Sequence, residues 1–322
     1  MRTGAYLAGG GALLLAVTML LSAWGLRRGL RPLSALAAEA ALVSPSNWHL
    51  PGNVAVEATD ELAPLAQAMQ AMLDNLRKAF TQQREFLANA AHELKTPVAI
   101  LKSTLQALLQ RQRSAGEYRA GLEEALEDMA RLEKLLHSML RLARAEQWAT
   151  GSVQPDAAPV NAMESLQAAI DRLAPIAAER DVTIEVKGER EALVRTSSED
   201  LELVWANLLE NAIHFSPAGA QVAAMIRKQN RRILLVVEDR GPGIPESELP
   251  RIFERFHRVD VSRARHTGGY GLGLAISKAL VEAYGGDLRA ESKAGIGTRL
   301  TASFPEAARA LAKEPQTTFS VP

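Results

Sequence analysis

The hydrophobic pattern divides the chain into stretches of different period. Ala5 to Leu26 holds no charged residue; as a helix rising about 1.5 Å per residue it is roughly 33 Å long, enough to cross a hydrocarbon core. Arg27, Arg28 and Arg31 follow at once, against Arg2 alone on the other side. That bias predicts one membrane span with the N-terminus outside and the rest in the cytoplasm. The alternative is a cleaved signal peptide, for which the apolar run is long. From Pro32 the apolar positions read as two short amphipathic helices, Leu33, Leu36, Ala37, Ala40 and Val43, then Leu62, Leu65, Met69, Met72 and Leu76. The second set has heptad spacing. Pro45, Pro51 and Gly52 require an extended connector between them, and Asp60 is placed to cap the second helix, with Pro64 near its first turn.

The heptad continues into a long helix with a stripe at Leu87, Ala90, Ala91, Leu94, Val98, Leu101, Leu105 and Leu108. After a polar break at Arg111 to Gly116, a second helix carries Leu122, Ala125, Leu126, Met129, Leu132, Leu136, Met139 and Ala143 on one side. Two antiparallel helices bury little by themselves. Pairing of two chains into a four-helix bundle buries both faces, so a homodimer is expected. Thr150 to Pro159, with Gly151, Ser152 and Pro155, reads as a linker.

Beyond it the period is mixed. The pattern predicts a helix from Asn161 to Ala178, strands at Val182 to Lys187 and Ala192 to Arg195, and a helix from Glu199 to Phe215. A hairpin of Val222 to Arg227 and Ile233 to Glu238 follows, then a glycine-rich loop and a helix from Leu272 to Tyr284. Strands at Asp287 to Glu291 and Arg299 to Phe304 close the series. This is an α/β sandwich, helices layered on one face of a mostly antiparallel sheet, with a loose tail after it.

Composition narrows the function classes. The 322 residues are 47% hydrophobic, enough for two or three compact units. With 37 basic and 37 acidic residues and no long single-sign run, no nucleic-acid footprint is present. Cysteine is absent, which excludes disulfides, thiolate chemistry and cysteine metal sites.

The candidate chemistry starts at Ala91-His92-Glu93-Leu94-Lys95-Thr96-Pro97. His92 lies off the apolar stripe and shares its face with Thr96, four residues on. A neutral imidazole nitrogen can accept a phosphoryl group while Glu93 takes the proton from the other ring nitrogen or holds the tautomer. Pro97 cannot donate to the Glu93 carbonyl, so a bend or loosening of the helix is expected near His92.

Four clusters in the last region fit a nucleotide. Asn207 and Asn211 put two amides on one helix face, suited to a hydrated hard cation. Asp239-Arg240-Gly241-Pro242-Gly243 follows a strand, where a carboxylate suits an adenine amino group and glycines let the backbone lie close to the ring. Gly268-Gly269-Tyr270-Gly271-Leu272-Gly273-Leu274 opens a helix whose first amides can face phosphate oxygens. Gly295-Ile296-Gly297-Thr298 is a hairpin that can bring Thr298 under the base. No βαβ unit surrounds the glycine run and no Gly-Lys-Ser/Thr follows it, so it is neither a dinucleotide fingerprint nor a Walker loop.

In this order the motifs resemble those of bacterial membrane sensor histidine kinases, from about Pro32 to Phe304. His92 to Pro97 matches the phosphoacceptor box, Asn207 to Pro217 the N box, Asp239 to Pro245 the first glycine box, Ile252 to Val259 the F box and Gly269 to Leu274 the second glycine box. The resemblance implies a membrane segment with residues 1–31, a HAMP-like linker at 32–79, and a dimerisation and phosphotransfer hairpin at 80–149. A linker at 150–160, a Bergerat-fold ATP-binding domain at 161–305 and a tail at 306–322 complete it. It also implies that His92 takes the γ-phosphoryl of ATP, that Asn211 binds Mg²⁺ with Asn207 beside it, and that Asp239 reads adenine. Gly241, Gly243, Gly269, Gly271, Gly273 and Thr298 line the nucleotide, and Arg258 and Arg263 in the lid reach the phosphates. The expected partner is a response regulator whose aspartate accepts the phosphate, Thr96 serving its removal, at the bacterial inner membrane with the kinase domains in the cytoplasm.

The chain departs from the pattern in places. His214 and Phe215 replace the Lys and Tyr common after the N-box apolar pair, which removes a fixed cation at neutral pH. Tyr270 stands where a small residue is common, so the lid is expected to close differently. Only one span is present where two usually enclose a sensor, so a truncated or shortened sensor is expected. Two other readings are an ATPase clamp of the wider gyrase-like superfamily, which gives His92-Glu93 no purpose, and a pseudokinase scaffold, which would have lost Asn211, Asp239 or the glycines.

Overall fold

The computed structural model describes residues 15–25, 63–149, 151, 157–259 and 270–307. They fall into two compact units, residues 1–88 and 89–322. In the first, residues 15–25 are helical and exposed throughout. Among the described residues no helix is long and apolar enough to cross a membrane. The predicted span is described only over 15–25, and the first linker helix and its Pro45 to Gly52 connector lie outside the described residues. Helix α1 (Ala63–Leu109) begins in this unit; Leu73 is buried on it, while Met72 and Leu76 of the heptad seam are exposed.

The second unit starts within α1 at Asn89. Helix α1 continues unbroken through Pro97 to Leu109, so the expected loosening does not interrupt it. Helix α2 (Ala115–Ala149) opens on a reciprocal cap. The Ser114 amide donates to Glu117 Oε2 at 2.8 Å, and the Glu117 amide donates to Ser114 Oγ at 3.3 Å. Two otherwise orphaned N–H groups are satisfied, which is why the helix begins before Gly116 rather than after it.

The α/β part follows the predicted order, with one addition. Strand β1 (Ala158–Asn161) lies partly inside the expected linker and pairs antiparallel with β3 (Leu193–Thr196). Pro159 is tolerated there because a two-stranded ribbon leaves its nitrogen without a ladder partner to satisfy. Asn161 is a helix cap rather than the first helical residue: its Oδ1 accepts from the Met163 amide at 2.9 Å at the start of α3 (Ala162–Glu179). Helix α4 (Ser198–Phe215) is likewise capped by Ser197.

Strands β2 (Thr183–Gly188), β4 (Gln221–Gln229), β5 (Arg232–Asp239), β6 (Asp287–Lys293) and β7 (Gly297–Pro305) form one sheet in the order β2-β4-β5-β7-β6. Only β2–β4 is parallel. Helices α3, α4 and α5 (Gly273–Ala283) pack side by side against this sheet. Trp205, Leu208, Leu209 and Ile213 of α4 meet Ile226, Ile233, Leu235 and Phe304 of the sheet in a closed apolar layer. The Trp205 indole donates to the Ala162 carbonyl at 3.2 Å, so its one polar atom is not stranded. Truncating such a leucine to alanine costs about 2–5 kcal/mol. This layer holds the ends of α4 and β5, where the candidate site lies, as a rigid frame.

Candidate phosphoacceptor and nucleotide site

His92 is exposed on α1 and Glu93 is half-buried beside it. Thr96 is exposed, and its Oγ1 donates to the His92 carbonyl at 3.4 Å. Imidazole and hydroxyl thus share an accessible turn. Pro97 leaves the Glu93 carbonyl without its usual helical donor.

The nucleotide loops meet at the end of β5. Asp239 sits opposite Thr298 in the β5–β7 register, and its Oδ1 accepts from the Gly241 amide at 2.8 Å. Burial pushes its carboxyl above the ordinary range, against backbone hydrogen bonds from Gly241 and Thr298 that lower it. The glycines here are packing requirements. A Cβ on Gly241 would lie 2.6 Å from the Phe215 carbonyl oxygen. One on Gly243, whose φ is +69°, would lie 2.1 Å from the Lys293 carbonyl oxygen. The end of α4, the loop after β5 and the β6–β7 hairpin therefore approach at backbone distance.

Ser292, which no sequence motif marks, ties these parts together. Its Oγ accepts from the Ile244 amide at 2.8 Å and donates to the Gly297 carbonyl at 2.8 Å. Its one proton is thereby used, so Thr298 must donate in the 2.9 Å contact between the two hydroxyls.

On α4 the two asparagines differ in role. Asn207 Nδ2 donates to the Gly273 carbonyl at 3.1 Å and to Ser277 Oγ at 3.1 Å, holding the start of α5. Asn211 is half-buried, and its carboxamide has no hydrogen-bond partner among the described residues. Among those residues no group of three or more His, Cys, Asp or Glu side chains is placed to hold a metal ion. A free carboxamide oxygen fits a hard cation that keeps phosphate and water as its other ligands, as Mg²⁺ does.

His214 is pushed below its ordinary value by burial and by the Arg180 guanidinium, with Glu210 opposing. It is therefore uncharged at neutral pH and supplies no cation in place of the missing Lys. Phe215 is 54% exposed and edge-on to the His214 ring.

In the second glycine cluster, Gly269 lies outside the described residues, as does Arg263. Gly271 has φ +69°, and a Cβ there would meet the His257 carbonyl oxygen at 2.8 Å. Its own carbonyl accepts from the Phe256 amide at 3.0 Å. Gly273 is the first residue of α5, and no side chain caps that helix, which leaves first-turn amides for anionic oxygens. Arg258 is half-buried near this junction, and His257 before it pairs with Glu248 at 2.8 Å.

Comparison with known proteins matches residues 196–308 to the histidine kinase-, DNA gyrase B- and HSP90-like ATPase family, residues 82–148 to the His Kinase A phospho-acceptor domain, and residues 24–78 to the HAMP domain. Sensor protein IrlS of Burkholderia pseudomallei is 32% identical over 283 residues, covering 86% of this chain and 58% of that protein. Sensor histidine kinase CusS of Escherichia coli O157:H7 is 32% identical over 246 residues, covering 76% and 50%. The chain thus spans little more than half the length of these relatives.

Among solved structures, Acinetobacter baumannii histidine kinase AdeS matches with a TM-score of 0.54 at 20% identity, over 67% of this chain and 98% of that one. Histidine kinase ThkA, in complex with response regulator protein TrrA, matches with a TM-score of 0.55 at 16% identity, over 72% and 64%. These two likenesses bear on fold alone. With the phospho-acceptor and ATPase domains in one chain and these relatives, the chain belongs to the sensor histidine kinases of two-component systems.

Proposed function

We propose that this chain is an ATP-dependent protein-histidine kinase that phosphorylates itself on His92. The observation that carries the reading is an exposed imidazole, with a carboxylate beside it, on the same chain as a glycine-lined cradle ending in the half-buried Asp239 carboxylate. Asp239 accepts from the adenine amino group with Thr298 opposite it, and Gly241 and Gly243 let the backbone lie against the ring. Gly269, Gly271, Gly273, Arg258 and Arg263 would contact the phosphates. In the transfer, a neutral His92 nitrogen attacks the γ-phosphorus, the bond to the bridging oxygen breaks and ADP leaves. Glu93 takes the proton from the other ring nitrogen. The free Asn211 carboxamide oxygen would hold Mg²⁺, which neutralises charge on the phosphates.

The phosphoryl group then passes to an aspartate of a response regulator, and Thr96 orients water for its removal by hydrogen bonding. Exposed apolar side chains on α1 and α2 favour pairing of two chains as a homodimer. The apolar N-terminal stretch and the HAMP match favour anchorage in the bacterial inner membrane, with the kinase domains in the cytoplasm.

Incubating the protein with γ-labelled ATP tests the reading. Acid-labile, alkali-stable label is expected on the wild type and absent from His92→Gln, which still binds ATP. Label surviving in that variant removes His92 as acceptor. ATP hydrolysis without any protein label favours the clamp ATPase instead.

A further inference from the structure

Helix α2 lies along α5 and meets the nucleotide-binding domain through polar contacts as well. Arg255 Nη2 reaches Glu146 Oε1 at 2.6 Å and Lys134 Nζ reaches Glu210 Oε1 at 3.7 Å. Ion pairs as exposed as the second contribute little, since water screens them and long side chains lose rotamer freedom. The contact between Tyr270 and α2 is of another kind. The Tyr270 hydroxyl donates to the Arg131 main-chain carbonyl at 3.3 Å. A carbonyl within a helix keeps a second lone pair for such a donor, and it cannot rotate away.

Tyr270 is also rigidly joined to the phosphate-facing backbone. The next residue, Gly271, receives the Phe256 amide at 3.0 Å, and two residues further the Gly273 carbonyl is held by Asn207. On the α2 side, Asp128 is the one buried charged side chain among the described residues, and its Oδ1 pairs with Arg131 Nη1 at 3.1 Å, fixing that turn. Burial raises the Tyr270 phenol above its ordinary value, the Glu93 carboxylate adds to the rise, and Arg131 and Arg258 oppose it. Glu93, the neighbour of the acceptor, and Arg258, of the phosphate end, are therefore both within electrostatic reach of one phenol.

We propose that Tyr270 is a positioning residue: by donating its hydroxyl to the Arg131 carbonyl, it sets the phosphate-binding end of the nucleotide site against α2 of the acceptor hairpin of its own chain. The proposal rests on the kinase reading above. It gives a role to a residue whose bulk is out of place in a glycine cluster. Its hydroxyl reaches across to α2.

Tyr270→Phe keeps the ring and deletes the donor, so it tests the hydrogen bond without a packing change. In rapid-quench labelling of His92 on the full chain, the maximal rate is expected to fall about 5-fold, the effect of losing one ordinary hydrogen bond that acts only in the aligned state. Half-saturating ATP and the affinity for a non-hydrolysable ATP analogue are expected to stay as in the wild type. An unchanged or increased maximal rate overturns the proposal, and so does a loss confined to nucleotide affinity, which would make Tyr270 a nucleotide contact. If the wild type labels on His92 and Tyr270→Phe labels as fast, the positioning role fails while the kinase reading stands. If the wild type does not label, both fail.

Discussion

Gly243→Ala has an effect that can be worked from the structure. At φ +69° an alanine is held in the left-handed region, which costs about 1–2 kcal/mol. Its Cβ would lie 2.1 Å from the Lys293 carbonyl oxygen and 2.7 Å from the carbonyl carbon. Relief needs roughly 1 Å of separation between the loop after β5 and the β6–β7 hairpin. That movement strains the bond from the Gly295 amide to the Pro242 carbonyl, at 2.7 Å, and the one from the Ile244 amide to Ser292, at 2.8 Å. Each is worth about 1 kcal/mol, so the expected loss is about 3–4 kcal/mol in all.

Gly295→Ala supplies the control. Its φ is +78°, but nothing lies within 4 Å of the added Cβ, so it loses only the left-handed penalty of about 1–2 kcal/mol. Urea unfolding followed by the fluorescence of the fully buried Trp205 reads both variants in the domain that carries the site. A fluorescent ATP analogue reports the adenine pocket, where Gly243→Ala should weaken binding far more than Gly295→Ala. Equal urea midpoints and equal affinities for the two variants would refute the idea that close backbone approach, rather than backbone freedom, requires a glycine at 243.

Asp239→Asn should lose ATP affinity yet change the pH dependence of stability in a defined sense. Burial raises the folded carboxyl above its ordinary 3.8, so the folded chain binds this proton more tightly than the unfolded chain does. Its stabilising contribution is complete below that value and declines as pH rises through the window up to the folded pKa. Asparagine cannot ionise, so the variant's urea midpoint should lack this decline and exceed the wild type's above the window; parallel pH profiles would contradict the burial argument. Thr96→Ala should abolish release of phosphate from a phosphorylated response regulator while His92 labelling is largely retained, because the hydroxyl orients water and takes no proton. Unchanged dephosphorylation kinetics would remove Thr96 from that role.

Much of this was readable from local pattern, because local pattern carries the physics of single elements. The predicted α4 differs from the observed helix by one residue at its start and the predicted α5 by one residue at each end, as capping choices usually do. Strand β1 escaped because four residues containing a proline, with a partner more than thirty positions away, leave no periodic signal. The polar break expected through Gly116 ends earlier, at Ser114, because Ser114-Ala115-Gly116-Glu117 forms a capping box. Asn207 illustrates a different limit. Its spacing from Asn211 shows the shared helix face, but not that its Nδ2 also reaches Gly273 and Ser277, 66 and 70 positions later. Ser292 and the Tyr270 contact depend on separations of 48 and 139 residues, and no helical or strand period reports such distances.

The two apolar faces of α2 show how pairing and docking can coexist. Leu135, Met139, Leu142 and Ala145 are buried within the chain, and Arg131, Lys134 and Glu146 make its polar contacts to the nucleotide-binding domain. Leu122, Leu126, Met129, Leu136 and Leu140 are 45–65% exposed. At 3.6 residues per turn these two sets centre on roughly opposite sides of the helix. Covering the exposed apolar side would contribute about 1.5–3 kcal/mol for each leucine fully buried. A second copy of the hairpin, with Val98, Leu105 and Leu109 of α1 exposed in the same way, offers a matching apolar surface for the uncovered side. Pairing there leaves the side that carries Arg131 untouched. The contact of Tyr270 with its own chain is therefore compatible with a four-helix bundle, and the bundle can hold two acceptor helices while each nucleotide site stays seated on its own α2.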